Sequence, residues 1–100
     1  MQLKDKVAVV TGAASGIGEA IALALGQEGA AIVIDYRSRP QEADVVVARI
    51  KSGGGRAAAV RADVTVPEDV QGLIQKAVQE FGRLDIMVNN AGVEQRMPFL

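Results

Sequence analysis

Four short apolar runs, Val7–Val10, Ala31–Ile34, Ala57–Val60 and Leu84–Val88, alternate with three stretches of helical periodicity. Runs this short, rich in Val, Ile and Ala, read as buried strands. The first helical stretch, Gly16–Gln27, carries Ile17, Ile21, Ala24 and Leu25 on one face. The second, Gln41–Lys51, carries Ala43, Val47 and Ile50. The third, from about Pro67 to Glu80, carries Val70, Leu73, Ile74, Ala77, Val78 and Phe81 at i, i+3, i+4 and i+7 spacing. Strands joined through helices must run parallel, because the chain needs a crossover to return to the same edge. Crossovers are right-handed. The pattern βαβαβαβ therefore predicts an α/β fold with a doubly wound parallel sheet, strand order 3-2-1-4, and a crevice opening between strands 1 and 4.

Local signals agree with this reading. Gly53-Gly54-Gly55 stops the second helix, because glycine accepts the left-handed conformation at a helix end. At the third helix Thr65-x-x-Glu68 reads as a capping box, while Pro67 equally makes Val66 the cap. Hydrophobic residues make up 49% of the 100 residues, which excludes a disordered chain and allows one domain. Aromatics are only 3%, so the core must be Val, Ile, Leu and Ala, as in buried parallel sheets.

The same composition excludes several functions. Net charge is −1, and aromatic platforms are lacking, so nucleic acid is not an expected partner. Cysteine and histidine are both absent, which removes disulfides, thiolate metal sites, His-based triads and the commonest zinc ligand. Lys4, Asp5 and Lys6 precede an apolar run that ends at Val10, which is no signal peptide. No stretch approaches the ~20 apolar residues of a membrane span. A cytoplasmic protein without a membrane partner is the expectation.

The sharpest motif is Thr11-Gly12-Ala13-Ala14-Ser15-Gly16-Ile17-Gly18, directly after the first strand and opening the first helix. Gly12 permits a tight turn, Gly16 removes a side chain where a pyrophosphate approaches backbone, and Gly18 permits close helix-to-strand packing. The helix N-terminus then offers free N–H groups and a positive dipole end to the phosphates. A bland glycine turn would also fit three glycines alone, but not in this strand–turn–helix setting. A P-loop is excluded, because no Gly-Lys-Ser/Thr follows.

With its G-x-x-x-G-x-G spacing after a threonine, the chain resembles the short-chain dehydrogenase/reductase family, whose fold is of Rossmann type. Asp63-Val64 after the third strand, Asn89-Asn90-Ala91-Gly92 after the fourth, and the polar cluster Asp35-Tyr36-Arg37-Ser38 after the second agree in order. The resemblance runs from Lys6 to about Gly92. It implies that Gly12, Ser15, Gly16, Ile17 and Gly18 surround the pyrophosphate and the nicotinamide side. It implies that Asp63 and Val64 contact the adenine, with Asp63 accepting from its amino group. Asn90, Ala91 and Gly92 would line the cofactor crevice, and Asn89 would tie neighbouring strands. The whole stretch 1–100 is then a dinucleotide-binding domain, the N-terminal part of such an enzyme.

The choice of cofactor turns on the end of the second strand. NAD enzymes usually place an acid there, ~20 residues after the glycine turn, for the ribose hydroxyls. In one alignment Tyr36 holds that position, Arg37 meets a 2′-phosphate through a bidentate contact, and Ser38 adds a hydroxyl. That alignment predicts NADP as the preferred cofactor, with NAD as the alternative. Shifted by one residue, Asp35 becomes the ribose acid and the preference reverses. A basic residue just before the second glycine would be another NADP signal, but Ser15 stands there. Arg37 and Arg39 also fit a plain solvated loop.

Within the family, Tyr36-Arg37-Ser38 and the stretches Asp63-Val64-Thr65-Val66 and Ala91-Gly92-Val93-Glu94 look most like glucose 1-dehydrogenases. The implied substrate is a sugar or similar secondary alcohol, or the matching carbonyl; Glu94 could face it, although a surface acid is the preferred reading. Such enzymes use a serine and a Tyr-x-x-x-Lys pair to move the hydroxyl proton. Tyr36 is the one tyrosine, and Pro40 stands where the lysine would be. No catalytic residue is expected within the stretch, and no turnover from it alone. Helices 1 and 2 would cover one sheet face and helix 3 the other, leaving strand 4 as an edge and part of the second face bare. Marginal stability is expected of the isolated stretch, and a homo-oligomer of the complete protein. A cofactor-binding module without activity, and an interaction protein using the bare face, are the competing readings.

Overall fold

The computed structural model describes residues 2–14 and 16–90. Its elements are β1 (Val7–Val10), α1 (Gly16–Gln27), β2 (Ala31–Tyr36), α2 (Pro40–Ser52), β3 (Arg56–Arg61), α3 (Pro67–Phe81) and β4 (Ile86–Val88). The four strands form one sheet in the order β3-β2-β1-β4, and every neighbouring pair is parallel. This is the Rossmann-type doubly wound arrangement that the alternation of elements predicts.

Side chains alternate across a strand, and here the alternation sorts the core into two layers. Ala8 and Val10 of β1 and Ile32 and Ile34 of β2 pack with Ala22 of α1 and with Ala43, Val46 and Ile50 of α2. Val7 and Val9 of β1 and Ala31 and Val33 of β2 pack against Leu73 and Ala77 of α3. Both strands are buried on both faces, which is why their sequences read as continuous apolar runs. Each buried Val, Ile or Leu contributes about 1.5–3 kcal/mol of hydrophobic stabilisation. Two helices on one face and one on the other is the division expected from sequence.

Several strand ends differ from expectation, for local reasons. β2 and β3 pair in register from Ala31↔Arg56 to Tyr36↔Arg61, so the ladder continues past the apolar residues that mark a strand in sequence. β4 starts at Ile86 rather than Leu84. Just before it, the Val7 N–H donates to Asp85 Oδ2 at 2.9 Å, and the Asp85 N–H donates to Val7 O at 2.9 Å. The Asp85 side chain thus supplies the acceptor that a strand carbonyl would supply, and Arg83 holds it from the other side.

At α3 the Thr65 capping box does not form. The Thr65 N–H and hydroxyl both donate to Asp63 Oδ1, at 2.9 and 2.6 Å. Val66 is the cap residue, extended at φ −107° and ψ 114°, as a residue before proline prefers. At the end of α2 the left-handed residue is Gly54, at φ 89°, and the Gly55 N–H returns to Ile50 O at 3.0 Å.

Among the described residues, no helix is long and apolar enough to cross a membrane, and no cluster of acidic, His or Cys side chains is suited to a metal ion.

Candidate functional site

The C-terminal ends of β1, β2 and β4 converge on the glycine turn. Gly12 and Gly16 both have positive φ, at 62° and 63°, a region that costs an L side chain roughly 1–2 kcal/mol. Gly18 sits in the first turn of α1. A Cβ there would lie 2.2 Å from Gly12 O and 2.7 Å from Asn90 Nδ2, so no larger residue fits. Its close approach is to the turn itself, not to a strand.

The turn is closed from the far end of the chain. The Asn90 amide donates to Gly12 O at 3.2 Å, and Asn90 is 2% exposed. Thr11 is buried; its N–H donates to Val88 O at 3.0 Å, and its hydroxyl lies 3.3 Å from Val88 O and 3.4 Å from Asn89 Oδ1. Asn89 and Thr11 so link the ends of β4 and β1. Sequence reasoning gives Asn90 only a crevice-lining place; that it braces the glycine turn is visible only in three dimensions. Ile17 projects from the start of α1 and is half exposed.

The end of β2 splits to the two sides of the sheet. Tyr36 packs on the layer under α1 and α2, whereas Asp35 points the other way, as Val33 does. A cavity of about 250 Å³ lies over this end, lined by Gly12, Ala14, Asp35, Tyr36, Arg37, Ser38, Arg39 and Glu42. It joins the expected selectivity residues Tyr36, Arg37 and Ser38 to the first glycine of the turn. Arg39 pairs with Glu42 at the rim, at 3.1 Å.

Asp35 is the feature that sequence reasoning undervalued. It is 3% exposed, and its Oδ1 is buried without a hydrogen-bond partner among the described residues. Burial pushes its carboxyl up from 3.8 to about 7, and the carboxylates of Asp63 and Asp69 push the same way, against the backbone N–H groups of Gly12 and Ala62. An acid in an apolar strand ending at a crevice was the available signal.

Asp63 stands across from this group, after β3. Its N–H donates to Asp69 Oδ2 at 2.9 Å, Thr65 satisfies its Oδ1, and its Oδ2 lies 3.4 Å from Arg37 Nη2. The Thr65 bonds, with help from Arg37 and Arg61, hold its carboxyl below the usual range. Val64 is half-buried in the same turn. The structure so brings Gly12, Gly16, Gly18 and Asn90 together at one place, and Tyr36, Arg37, Ser38 and Asp63 at the next. Ser15, Ala91, Gly92 and Glu94 lie outside the described residues.

A family model described as short chain dehydrogenase matches residues 6–100. The chain belongs to the short-chain dehydrogenase family. An uncharacterized oxidoreductase of Methylorubrum extorquens is 55% identical over 92 residues, 92% of this chain and 37% of its own. Versicolorin reductase of Emericella nidulans is 50% identical over 92 residues, 92% of this chain and 35% of its own. A short chain dehydrogenase from Burkholderia cenocepacia J2315, solved in complex with NADP, superposes with a TM-score of 0.86 at 42% identity, over 89% of this chain and 36% of that one. This short-chain dehydrogenase chain spans a little over a third of the length of the curated relatives it matches.

Proposed function

We propose that residues 1–100 are the dinucleotide-binding part of an NAD(P)-dependent dehydrogenase or reductase, with NADP preferred over NAD. The observation that carries the reading is the cavity at the end of β2, where Arg37 and Ser38 sit beside Gly12 of the phosphate turn. The residues present fit the cofactor. Gly12 and Gly16, both of positive φ, bring no side chain to the turn, Gly18 admits none, and the N-terminus of α1 faces the turn. When bound, the cofactor supplies hydride transfer at its nicotinamide ring.

The chain's own residues bind and orient. Gly12, Ser15, Gly16, Ile17 and Gly18 hold the pyrophosphate and the nicotinamide side. Asp63 and Val64 take the adenine. Asn90, Ala91 and Gly92 line the crevice, with Asn90 also fixing the turn. Tyr36 covers the ribose, Arg37 pairs with the 2′-phosphate in a charge-assisted contact, and Ser38 adds a hydroxyl. Asp35 near neutral pH carries only part of a negative charge, so it repels a phosphate nearby less than a fully ionised carboxylate would.

Proton transfer to the substrate needs a serine and a Tyr-x-x-x-Lys pair outside this stretch, so residues 1–100 alone turn over no substrate. The complete protein would act in the cytoplasm as a homo-oligomer on a secondary alcohol or carbonyl. Tyr36-Arg37-Ser38 favours a sugar of the glucose type. A second reading, a reductase acting on a compound of the versicolorin kind, is favoured by the relative named versicolorin reductase.

The test is calorimetric. Arg37→Ala weakens NADP by about tenfold or more and NAD by little, the loss expected for a charge-assisted contact of about 1.5–3 kcal/mol. Equal loss for both cofactors would sink the 2′-phosphate role.

A further inference from the structure

Two residues with separate expected tasks, Arg37 for the 2′-phosphate and Asp63 for the adenine, are in contact with each other. Arg37 Nη2 lies 3.4 Å from Asp63 Oδ2, and the Arg37 side chain is otherwise 70% exposed. A guanidinium so exposed has many rotamers to lose on meeting a ligand. Asp63 is its one fixed contact among the described residues, and Asp63 is itself held. Its Oδ1 receives both the Thr65 N–H and the Thr65 hydroxyl, and its own N–H is tied to Asp69 Oδ2.

The approach is from one terminal nitrogen of Arg37, at 3.4 Å. Among the described residues no hydrogen bond ties the guanidinium, so its donors remain for a planar or tetrahedral oxyanion. Arg37 also lines the cavity beside Gly12 and Ser38, so the free donors belong to a group already at the expected phosphate position. Asp63 remains ionised at working pH, because its hydrogen bonds hold the carboxyl below the usual range.

We propose that Asp63 is a positioning residue for Arg37, so that the Thr65–Asp63–Arg37 chain sets the preference for a 2′-phosphate as well as meeting the adenine. The proposal rests on the reading of Arg37 as the 2′-phosphate contact. The consequence is that removing the Asp63 charge weakens binding of the phosphate, although a negative charge has been taken away from beside it. Simple electrostatics predicts the opposite sign.

The experiment titrates the protein with adenosine 2′,5′-bisphosphate and with 5′-AMP and takes the ratio of the two dissociation constants. Adenine, ribose and 5′-phosphate are common to both probes, so a merely structural weakening or a lost adenine contact cancels. The unaltered protein favours the bisphosphate, and Arg37→Ala brings the ratio close to one. Asp63→Asn lowers the preference by about two- to fivefold, the range of an exposed ion pair. In the Arg37→Ala background Asp63→Asn changes the ratio no further.

Thr65→Val keeps the carboxylate but frees it from the hydroxyl, and lowers the preference in the same direction; it serves if Asp63→Asn fails to fold. An unchanged or increased preference in Asp63→Asn or Thr65→Val, with Arg37→Ala still abolishing it, overturns the positioning role and leaves the NADP reading standing. An equal effect of Asp63→Asn with and without Arg37 overturns it too. A ratio that Arg37→Ala does not move overturns the NADP reading and this inference with it.

Discussion

At the residue scale, Asp35 makes stability depend on pH. Its folded pKa of about 7 lies above the ordinary 3.8, so between these values the native state holds a proton that the unfolded chain has released. The stabilisation is complete below about pH 4 and is lost as pH rises through 7, at up to about 1.4 kcal/mol per pH unit. Asp35→Asn flattens that slope in urea titrations between pH 4 and 7; an unchanged slope would show that the carboxyl is not protonated in the folded protein. Gly18→Ala is expected to damage the glycine turn, because its methyl would meet Gly12 O at 2.2 Å. Loss of cofactor affinity and a lower Tm should come together, and thermal melts with and without NADP measure both.

Much of this residue-level detail was readable in the chain. The glycine spacing, Asp63-Val64 and the asparagine pair are local motifs, and local motifs survive in one dimension. Asp35 was ambiguous because a single strand does not say which side of its sheet a residue near its end will face. Only the pairing of β2 with both neighbours decides that Asp35 is buried and Tyr36 less so.

Among the elements, α3 and β4 carry the instructive departures. The apolar stripe of α3 was legible over its whole length, yet its N-terminus was not. Thr65 had two competing partners, the helix amides and Asp63, and in sequence they look alike. Val66 therefore leaves the cap without a side-chain acceptor, and Val66→Ser should stabilise the fold by about 0.5–1 kcal/mol, read as a shift in the urea midpoint. β4 was legible as an apolar run, but its start was not, because Asp85 imitates a strand acceptor with its side chain. Asp85→Ala orphans the Val7 N–H and should cost about 1–3 kcal/mol, with faster hydrogen exchange at that amide.

For the whole molecule, alternation alone was enough to specify a parallel sheet, and the handedness of crossovers left few orders of strands. The order 3-2-1-4 places β1 and β2 in the interior, where Ile32 and Ile34 meet both neighbours. Ile32→Ala opens a cavity in the middle of the layer under α1 and α2 and should cost about 2–5 kcal/mol in a single cooperative transition. What sequence could not convey is how the ends of strands far apart in the chain combine into one surface.

The bond from Asn90 to Gly12 has a bearing on how the protein is made. The glycine turn leaves the ribosome well before the residue that locks it, which is synthesised 78 positions later. Domains emerge N-terminus first, and contacts this distant in the chain are slow to close. The nascent turn must therefore wait, unlocked, until β4 has docked on β1. On the proposed cofactor reading, binding follows the closure of that bond, and a pulse of cofactor during synthesis should find the site only after β4 is in place.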